Sequence, residues 1–300
     1  MDTDSMPTRT ADTGSDFATF GPVHLDIVDR ERSLQFWRDV VGLRLRHDTD
    51  SALELGTERE TLLVLHPGAT SPVPHRRTGL YHLAIHLPNE PEFARVLGRL
   101  IMRRWPIAPT DHVMSKAIYL NDPDGIGLEL TLETPERQRS MRVVGSTMEV
   151  IDAQGRLRSG RDPLDVEEVL AQLSDRDFER PMPDGTKVGH VHLHVSDLDA
   201  ALRFYRDALG FLEHMNAPQF GMADLHAGGR FEHRMAINVW QGRGAPPPPP
   251  GAAGLRYFTI RFDSPDRLAS VMRRIGDAST DADGYRVRDP SGNQMVLTAA

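Results

Sequence analysis

The sequence predicts an α+β fold in which four βαβββ modules form two curved-sheet cups. The segment 21–29 matches the segment 189–197, and residues of the helix that follows match at the same shift of 168 positions. The turn at 122–125 matches the turn at 289–292 in a similar way. Each half divides again into a strand, a helix and about three strands. The chain is therefore predicted to be a duplicated half, with two modules in each half.

The periodicity of apolar residues predicts the elements of the first two modules. Asp29 is a suitable helix N-cap, and Gly42 stands where the first helix ends. The first module is predicted to contain a strand at 21–28, a helix at 31–41 and strands near 43–48, 51–55 and 61–66. The second is predicted to contain a strand at 80–87, a helix at 91–103 and strands near 116–121 and 127–133.

The same patterns divide the chain into segments. The predicted segments are a disordered tail at 1–18, an N-terminal half at 19–138 with modules at 19–77 and 79–134, a linker at 139–186, and a C-terminal half at 187–300 with modules at 187–243 and 253–298. Within the linker only Asp165–Leu173 has the pattern of an amphipathic helix, and the rest is turn-rich.

Length, charge and cysteine content exclude several classes of function. A chain of 300 residues fits about two domains. The net charge of −8, with no long basic block, argues against a nucleic-acid partner. The absence of cysteine excludes disulfides and thiolate metal sites, so a metal would need nitrogen and oxygen ligands. The 13 histidines supply candidates.

The sequence carries no sign of a membrane partner or of export. No apolar run reaches the length that spans a bilayer. Residues 1–17 are rich in Asp, Thr and Ser and lack the hydrophobic stretch of a secretory signal. We therefore expect a cytoplasmic protein.

Strand alternation places polar side chains on one face of several predicted strands. In the strand at 80–87, His82, Ala84 and His86 share a face opposite the leucines and isoleucine. Burying such a polar row against apolar groups is costly unless it finds partners. A curved sheet whose concave face surrounds a metal or water supplies those partners.

Comparison of equivalent positions across the modules predicts one metal site. His82 and Glu129 lie in the second module and His190 in the third, so a cup shared by these two modules would contain all three. The alternative pairs the first module with the second and the third with the fourth, and it would leave no complete triad in either half. We therefore predict that the second module pairs with the third. Two histidines and one carboxylate form the facial triad of non-haem iron(II) oxygenases. A cup formed by the first and fourth modules would present Pro22, Tyr257 and Val296. Those side chains cannot bind a metal.

The four-module pattern resembles the vicinal oxygen chelate superfamily, which includes glyoxalase I, bleomycin-resistance proteins and type I extradiol dioxygenases. The stretches that carry the resemblance are 79–85, 110–117, 122–130, 189–197, 238–240 and 244–248. Together they look like the bacterial catechol-2,3-dioxygenase branch. That branch implies Fe(II), with Mn(II) as an alternative, and a small aromatic diol cleaved with dioxygen.

The resemblance also implies roles for individual residues. His82, Glu129 and His190 match the metal ligands, Tyr119 matches a tyrosine that hydrogen-bonds substrate, and His112 matches a histidine beside the ligands. A further acid–base histidine is expected near 231–238. This chain keeps His233 there but departs from the family pattern with charged neighbours at 232 and 234. Because successive side chains of a strand point to opposite faces, only one of His233 and Arg234 can face the cup.

Two further residues, His192 and Tyr257, are expected to contact substrate. The predicted function is extradiol ring cleavage, which involves proton transfer through His233 or His112. The alternatives are a glyoxalase-type metal-dependent isomerase or lyase, and a non-catalytic binder of a drug or metabolite. Bound metal would separate them. A homodimer is the expected assembly, because the edge strands of open cups tend to be covered.

Overall fold

The computed structural model describes residues 14–276 and 278–300. The strands are β1 (Ala18–Ile27), β2 (Arg44–Asp48), β3 (Leu53–Gly56), β4 (Thr61–Pro67), β5 (Gly79–His86), β6 (Ala108–Asp111), β7 (Ser115–Asn121), β8 (Gly127–Glu133), β9 (Gln138–Val144), β10 (Thr147–Asp152), β11 (Leu157–Arg158), β12 (Asp162–Pro163), β13 (Lys187–His194), β14 (Leu212–Ala217), β15 (Met222–His226), β16 (Met235–Asn238), β17 (Gly254–Phe262), β18 (Ser279–Asp281), β19 (Gly284–Arg288) and β20 (Gln294–Ala299). The helices are α1 (Arg30–Gln35), α2 (Glu90–Met102), α3 (Val166–Leu170), α4 (Leu198–Arg203) and α5 (Pro265–Ile275), with 3₁₀ turns at Pro135–Arg137 and Pro218–Phe220. Within the described residues, no helix combines the length and apolar character needed to cross a bilayer.

The predicted α+β fold of four modules is confirmed. Each module runs as a strand, a helix and three strands, beginning at β1, β5, β13 and β17. The first sheet has eight strands in the order β18-β19-β20-β17-β1-β4-β3-β2. The second has nine, in the order β12-β6-β7-β8-β5-β13-β16-β15-β14.

The order of the strands also confirms the predicted pairing of modules. β5 pairs antiparallel with β13, which joins the second module to the third. β1 pairs antiparallel with β17, which joins the first module to the fourth. Both halves of the sequence therefore contribute to both sheets.

The first predicted helix is observed as two joined segments. The Asp29 side chain accepts a hydrogen bond from the backbone N–H of Arg32 at 2.8 Å and caps α1. A π-helical segment, Phe36–Val41, follows and buries Phe36 and Trp37 in the core. Gly42 ends it with a φ of 98°, a left-handed conformation that favours glycine.

The linker differs from its prediction. It was expected to be turn-rich apart from one helix, but β9, β10 and β11 form a three-stranded antiparallel sheet. β12 adds to the edge of the second large sheet by pairing with β6. Met141 and Val143 alternate with Arg142 along β9, a pattern that predicts a strand. The arginines of this segment make it look like an exposed, turn-rich linker. The helix is shorter than expected, and the Asp165 side chain caps it.

The expected disordered tail at 1–18 also needs correction where the structure describes it. Residues 1–13 lie outside the described residues. Asp16 forms an ion pair with Arg234 at 2.9 Å, and the Phe17 ring packs against that of Phe211 at an interplanar angle of 55°. Ala18 already belongs to β1. Residues 16–18 are therefore part of the fold, because an ion pair and an aromatic contact hold them against it.

Arg99 of α2 and Arg103, the residue that caps the end of α2, provide a test of how the linker is held to the fold. The buried Arg99 donates to the carbonyls of Val41 at 2.9 Å and Phe178 at 2.6 Å, and burial lowers its pKa to about 10. Replacing Arg99 by leucine leaves these carbonyls unpaired and should lower the free energy of unfolding by about 2–5 kcal/mol. The matched variant Arg103→Leu removes the solvent-exposed pair with Glu179 and should cost no more than about 1 kcal/mol. Denaturant titration measures both, and equal losses would contradict this account.

Candidate metal centre and its cavity

Three side chains converge on one point of the nine-stranded sheet. His82 on β5, Glu129 on β8 and His190 on β13 are all buried. Glu129 Oε2 lies 3.0 Å from His82 Nε2 and 2.9 Å from His190 Nε2, and the two Nε2 atoms are 3.3 Å apart. The structure thus brings together the three residues that the sequence analysis placed in one cup. Their role as ligands stays a prediction.

Strand register explains why these side chains meet. β5 lies between β13 and β8, and Ala84 on β5 pairs with His190 on one side and with Glu129 on the other. Ala84 is fully buried and has the smallest chiral side chain. The imidazole and the carboxylate therefore meet above it, and His82 reaches the same point from one pleat away.

The charge of Glu129 is the first indication that a cation belongs here. Burial would raise the pKa of Glu129, but its hydrogen bonds with His190 and His82 hold it well below its usual value. Burial lowers the pKa of His190 well below its usual value, so its ring is neutral. Among the described residues, no Lys or Arg pairs with Glu129. A buried carboxylate whose neighbour His190 is neutral is costly without a cation.

A row of hydrogen bonds that runs from His190 through His86 to Glu133 orients His190. Its Nδ1 lies 2.8 Å from His86 Nε2, and His86 Nδ1 lies 2.8 Å from Glu133 Oε1. Burial lowers the pKa of His86, which leaves a neutral ring. Because a carboxylate only accepts, His86 donates from Nδ1 and accepts at Nε2. His190 must then donate from Nδ1, which leaves the Nε2 lone pair directed at the centre.

Glu133 is held as an anion at the end of this row. It pairs with Arg234 at 2.7 Å and with Lys187 at 3.3 Å. Burial would raise its pKa, but the hydrogen bond from His86 and the charge of Arg234 keep it well below the usual value. Gly189 makes room for the row, because a Cβ at this position would overlap the His86 ring.

The predicted pair His112 and Tyr119 lies on the other side of the centre. Tyr119 on β7 is directly opposite Glu129 on β8. His112 Nδ1 lies 2.6 Å from the carbonyl oxygen of Gly160, and its Nε2 lies 2.8 Å from Tyr119 Oη. Burial lowers the pKa of His112, so its neutral ring donates to Gly160 and accepts from Tyr119.

His233 faces the cavity, and Arg234 does not. His233 Nδ1 lies 2.8 Å from Asp224 Oδ2, and its ring is 4.3 Å from that of His190. Arg234 instead bonds to Asp16 and Glu133. Burial alone would lower the pKa of His233, but the Asp224 carboxylate, assisted by Glu129, raises it above its usual value. His233 and Asp224 form an acid–base pair beside the centre.

His192 is placed beside His82 in the wall of the cavity. The two residues are paired across β5 and β13, and their ring centroids are 4.9 Å apart. Asn238 Nδ2 lies 2.8 Å from His192 Nε2, and burial lowers the pKa of His192 well below its usual value. Its neutral ring accepts from Asn238. Contact between His192 and a substrate stays a prediction.

Tyr257 does not belong to this cavity. It lies on β17 in the eight-stranded sheet, where its ring stacks on His24 at 4.0 Å. His24 Nδ1 is in turn 3.0 Å from His66 Nε2. The expectation that Tyr257 contacts the same substrate as His192 is therefore wrong. The two sheets carry equivalent positions on separate concave faces, and sequence equivalence does not bring them together.

The centre opens into a cavity of about 320 Å³. This volume is at the small end of the roughly 300–1,000 Å³ typical of small-molecule sites. The side chains that line it include Tyr81, His82, His112, Met114, Ser115, Tyr119, Glu129, Met141, Met148, Val150, Arg161, His192, Met215, Met222, Asp224, His233 and Trp240. Polar groups gather near Glu129, and the methionines form an apolar part.

The centre satisfies the requirements of a metal site that holds a divalent ion with nitrogen and oxygen ligands. His82, Glu129 and His190 form a group whose ligand atoms all lie within 4.8 Å of one another. They are buried, and the hydrogen bond between His190 Nδ1 and His86 directs His190 Nε2 to the centre. Three ligands leave further coordination positions for substrate.

From the sequence, Asp224 and Glu133 receive no role, and His86 is placed only on the polar face of its strand. The structure places Asp224 against His233, and His86 and Glu133 in the row behind His190. Asp224 stands between Ala223 and Leu225 in a strand, and alternation with Met222 is the signal that it faces the cavity. His86 shares the face of His82 in the same way. The contribution of Gly160 carries no signal in sequence, because it is a carbonyl oxygen from the linker.

Two family models match the chain. Residues 21–130 match the glyoxalase/bleomycin resistance protein/dioxygenase superfamily. Residues 187–228 match a model described as bleomycin resistance protein-like N-terminal. The two matches begin at β1 and at β13, the first strands of the two halves.

One curated relative and two solved structures are similar over most of the chain. A protein of Bacillus subtilis named catechol-2,3-dioxygenase is 36% identical over 287 residues, which are 92% of this chain and 95% of that protein. A putative dioxygenase from Bacillus subtilis has a TM-score of 0.57 at 14% identity, with 94% of this chain and 85% of that chain covered. Glyoxalase I from Zea mays has a TM-score of 0.53 at 16% identity, with 95% and 93% covered. The two structural likenesses show the fold.

Proposed function

The chain belongs to the glyoxalase/bleomycin resistance protein/dioxygenase superfamily, and from that premise we propose that it cleaves the ring of a catechol with dioxygen. The observation that carries the proposal is the convergence of two histidines and one glutamate at the base of a cavity that also contains an acid–base pair. The 36% identity to a protein named catechol-2,3-dioxygenase supports the same reaction class.

In this proposal His82, Glu129 and His190 hold Fe(II), with Mn(II) as the alternative ion. The bound ion would bring the two catechol oxygens and dioxygen together and lower the pKa values of the catechol hydroxyls. Three protein ligands suit this chemistry because they leave room for a bidentate substrate and a second small molecule. The protein's own residues then orient the substrate and move its protons.

Tyr119 would orient the substrate through its oxygen. Its hydroxyl proton is directed to His112 Nε2, because His112 donates its own proton to Gly160. The Tyr119 oxygen is therefore an acceptor toward the cavity, able to receive a hydrogen bond from a substrate hydroxyl. Burial and the charge of Glu129 raise the pKa of Tyr119 well above its usual value, so the phenol keeps its proton.

His233 would accept a substrate proton and return it later in the reaction. Asp224 orients the ring through Nδ1 and stabilises its protonated form, which leaves Nε2 for the substrate. His112 is the weaker candidate for this role, because both of its nitrogens are engaged and burial favours its neutral form.

The metal content of the purified protein tests the proposal against its rivals. Iron that supports ring cleavage agrees with the dioxygenase. A glyoxalase-type isomerase would retain nickel or zinc and would leave catechol intact, and a non-catalytic binder would retain no metal. Elemental analysis of protein loaded with each ion, followed by an assay with catechol in air, separates the three.

The hydrogen-bonded row behind His190 gives a prediction about metal affinity. His86→Phe removes the acceptor for His190 Nδ1, and Glu133→Gln removes the anion that fixes His86. Each change should weaken Fe(II) binding by about 10–100-fold, the usual effect of losing a partner of a ligating histidine. Competition with a chelator measures the affinity. Glu213→Gln, at an exposed glutamate, is the control, and unchanged affinity in the His86 and Glu133 variants would contradict the assigned row.

A further inference from the structure

The apolar part of the cavity is closed by the linker. Along β9 and β10, Met141 and Val143 flank Arg142, and Met148 and Val150 flank Glu149, so the four apolar residues share one face of the hairpin. We call these four residues the apolar roof. Met141, Met148 and Val150 line the cavity, and the opposite face of the hairpin carries the exposed pair Arg142 and Glu149. The face toward the cavity is apolar, whereas the opposite face is mixed, with the exposed Val144 beside Arg142.

The roof meets methionines from the nine-stranded sheet. Met215 and Met222 are buried and pack with Met141, Val143 and Met148 in a cluster separate from the main core. Met114 adds a further thioether to the lining. Methionine is unbranched and polarisable, and it adapts to apolar or aromatic groups of different shape. A wall of this composition can hold an uncharged group that differs in shape from one ligand to another.

Ion pairs fix the roof relative to the centre. Asp111 on β6 pairs with Arg137 at 2.6 Å and with Arg158 at 3.6 Å, which lie on either side of the hairpin in sequence. β12 pairs with β6 at Asp111 and Thr110. Gly160, whose carbonyl accepts from His112, leaves no space for a Cβ beneath Val150 and Met148. The linker therefore contacts both the apolar and the polar parts of the cavity.

We propose that the linker is the specificity element of this site and that its roof selects catechols with an uncharged apolar substituent. This inference rests on the proposed function. A carboxylate on the ring would have to lie among thioethers, in a cavity that already contains the anions of Glu129 and Asp224. Arg161 also lines the cavity, but its side chain is exposed to water, which weakens its attraction for an anion.

Binding under nitrogen tests the proposal without turnover. Fe(II)-loaded protein is titrated by calorimetry with catechol, 4-ethylcatechol and 3,4-dihydroxybenzoate. Burial of the two extra carbons against the roof should make 4-ethylcatechol bind about tenfold more tightly than catechol. The carboxylated compound should bind more weakly than catechol. Equal affinities, or tighter binding of the carboxylated compound, would overturn the proposal.

Variants then locate the preference. The double variant with Met141→Ala and Met148→Ala should bind 4-ethylcatechol no more than about threefold more tightly than catechol. Met102→Ala, at an exposed methionine of α2, should leave the ratio of the two affinities as in the wild type. The wild-type protein could instead bind 3,4-dihydroxybenzoate more tightly than catechol. If this preference disappears in Arg161→Ala, Arg161 determines the selectivity and the roof does not.

Admitting air after the titrations tests the proposed ring cleavage separately from the proposed specificity of the roof. Selective binding followed by ring cleavage supports both. Selective binding without cleavage supports the roof and contradicts the proposed dioxygenase. Cleavage with equal affinity for all three compounds supports the dioxygenase and contradicts the roof. Failure of all three to bind contradicts both.

Discussion

Glu129→Ala is expected to abolish both iron retention and ring cleavage. Glu129 is the anion of the centre, and both His82 Nε2 and His190 Nε2 lie within 3.0 Å of it. Without it, two imidazoles remain, and neither carries a negative charge that would offset that of a divalent ion. The iron content after desalting should fall from about one ion per chain to near zero, and turnover should fall with it. Elemental analysis and the colour of the ring-cleavage product measure the two effects.

The control for this variant is Glu213→Ala, which removes an exposed carboxylate paired with Arg206. It should keep both iron and activity. Far-ultraviolet circular dichroism of both variants checks the fold. Retained iron together with normal turnover in Glu129→Ala would show that Glu129 is not a ligand.

His233→Gln is expected to lower kcat by about 10²–10⁴-fold while iron stays bound. The imidazole is paired with Asp224 and lies beside the centre, yet it does not belong to the group of three ligands. Glutamine keeps hydrogen-bonding capacity but cannot accept and return a proton. Steady-state kinetics with a parallel iron determination separates a lost proton carrier from a lost metal.

Two further variants, one at the partner of His233 and one at a distant histidine, test whether the loss is specific to the His233 imidazole. Asp224→Asn should give an intermediate loss, because the imidazole remains but loses the anion that raises its pKa. His47→Gln, at an exposed histidine of the eight-stranded sheet, should change nothing. If His233→Gln retains full kcat while His112→Gln loses it, the proton is carried by His112.

The sequence was sufficient to predict the fold and the three central residues for a common physical reason. Alternation along a strand assigns each side chain to one face, and the fourfold repeat assigns equivalent places to different strands. His82, His190 and Glu129 follow from these two facts together with the pairing of β5 and β13, which the structure confirms. Tyr257 occupies the equivalent position in the other sheet, so equivalence in the repeat does not by itself place a residue in the same site.

The surroundings of the centre were less predictable because they depend on contacts between distant segments. Asp224 reaches His233 only through the packing of β15 beside β16. The linker was predicted to be turn-rich, although alternation of Met141 and Val143 with Arg142 is a strand pattern. The hydrogen bond from His112 to Gly160 joins residues 48 positions apart through a backbone carbonyl, which residue identity does not reveal.

The most direct test of the central claim is the reaction itself. Protein loaded with Fe(II) under nitrogen is mixed with catechol, air is admitted, and oxygen uptake is followed together with the yellow colour of the ring-cleaved product. The proposed function predicts one dioxygen consumed for each catechol, with colour in the iron-loaded protein and none in Glu129→Ala. Protein that binds iron but neither consumes oxygen nor produces colour with catechol would contradict it.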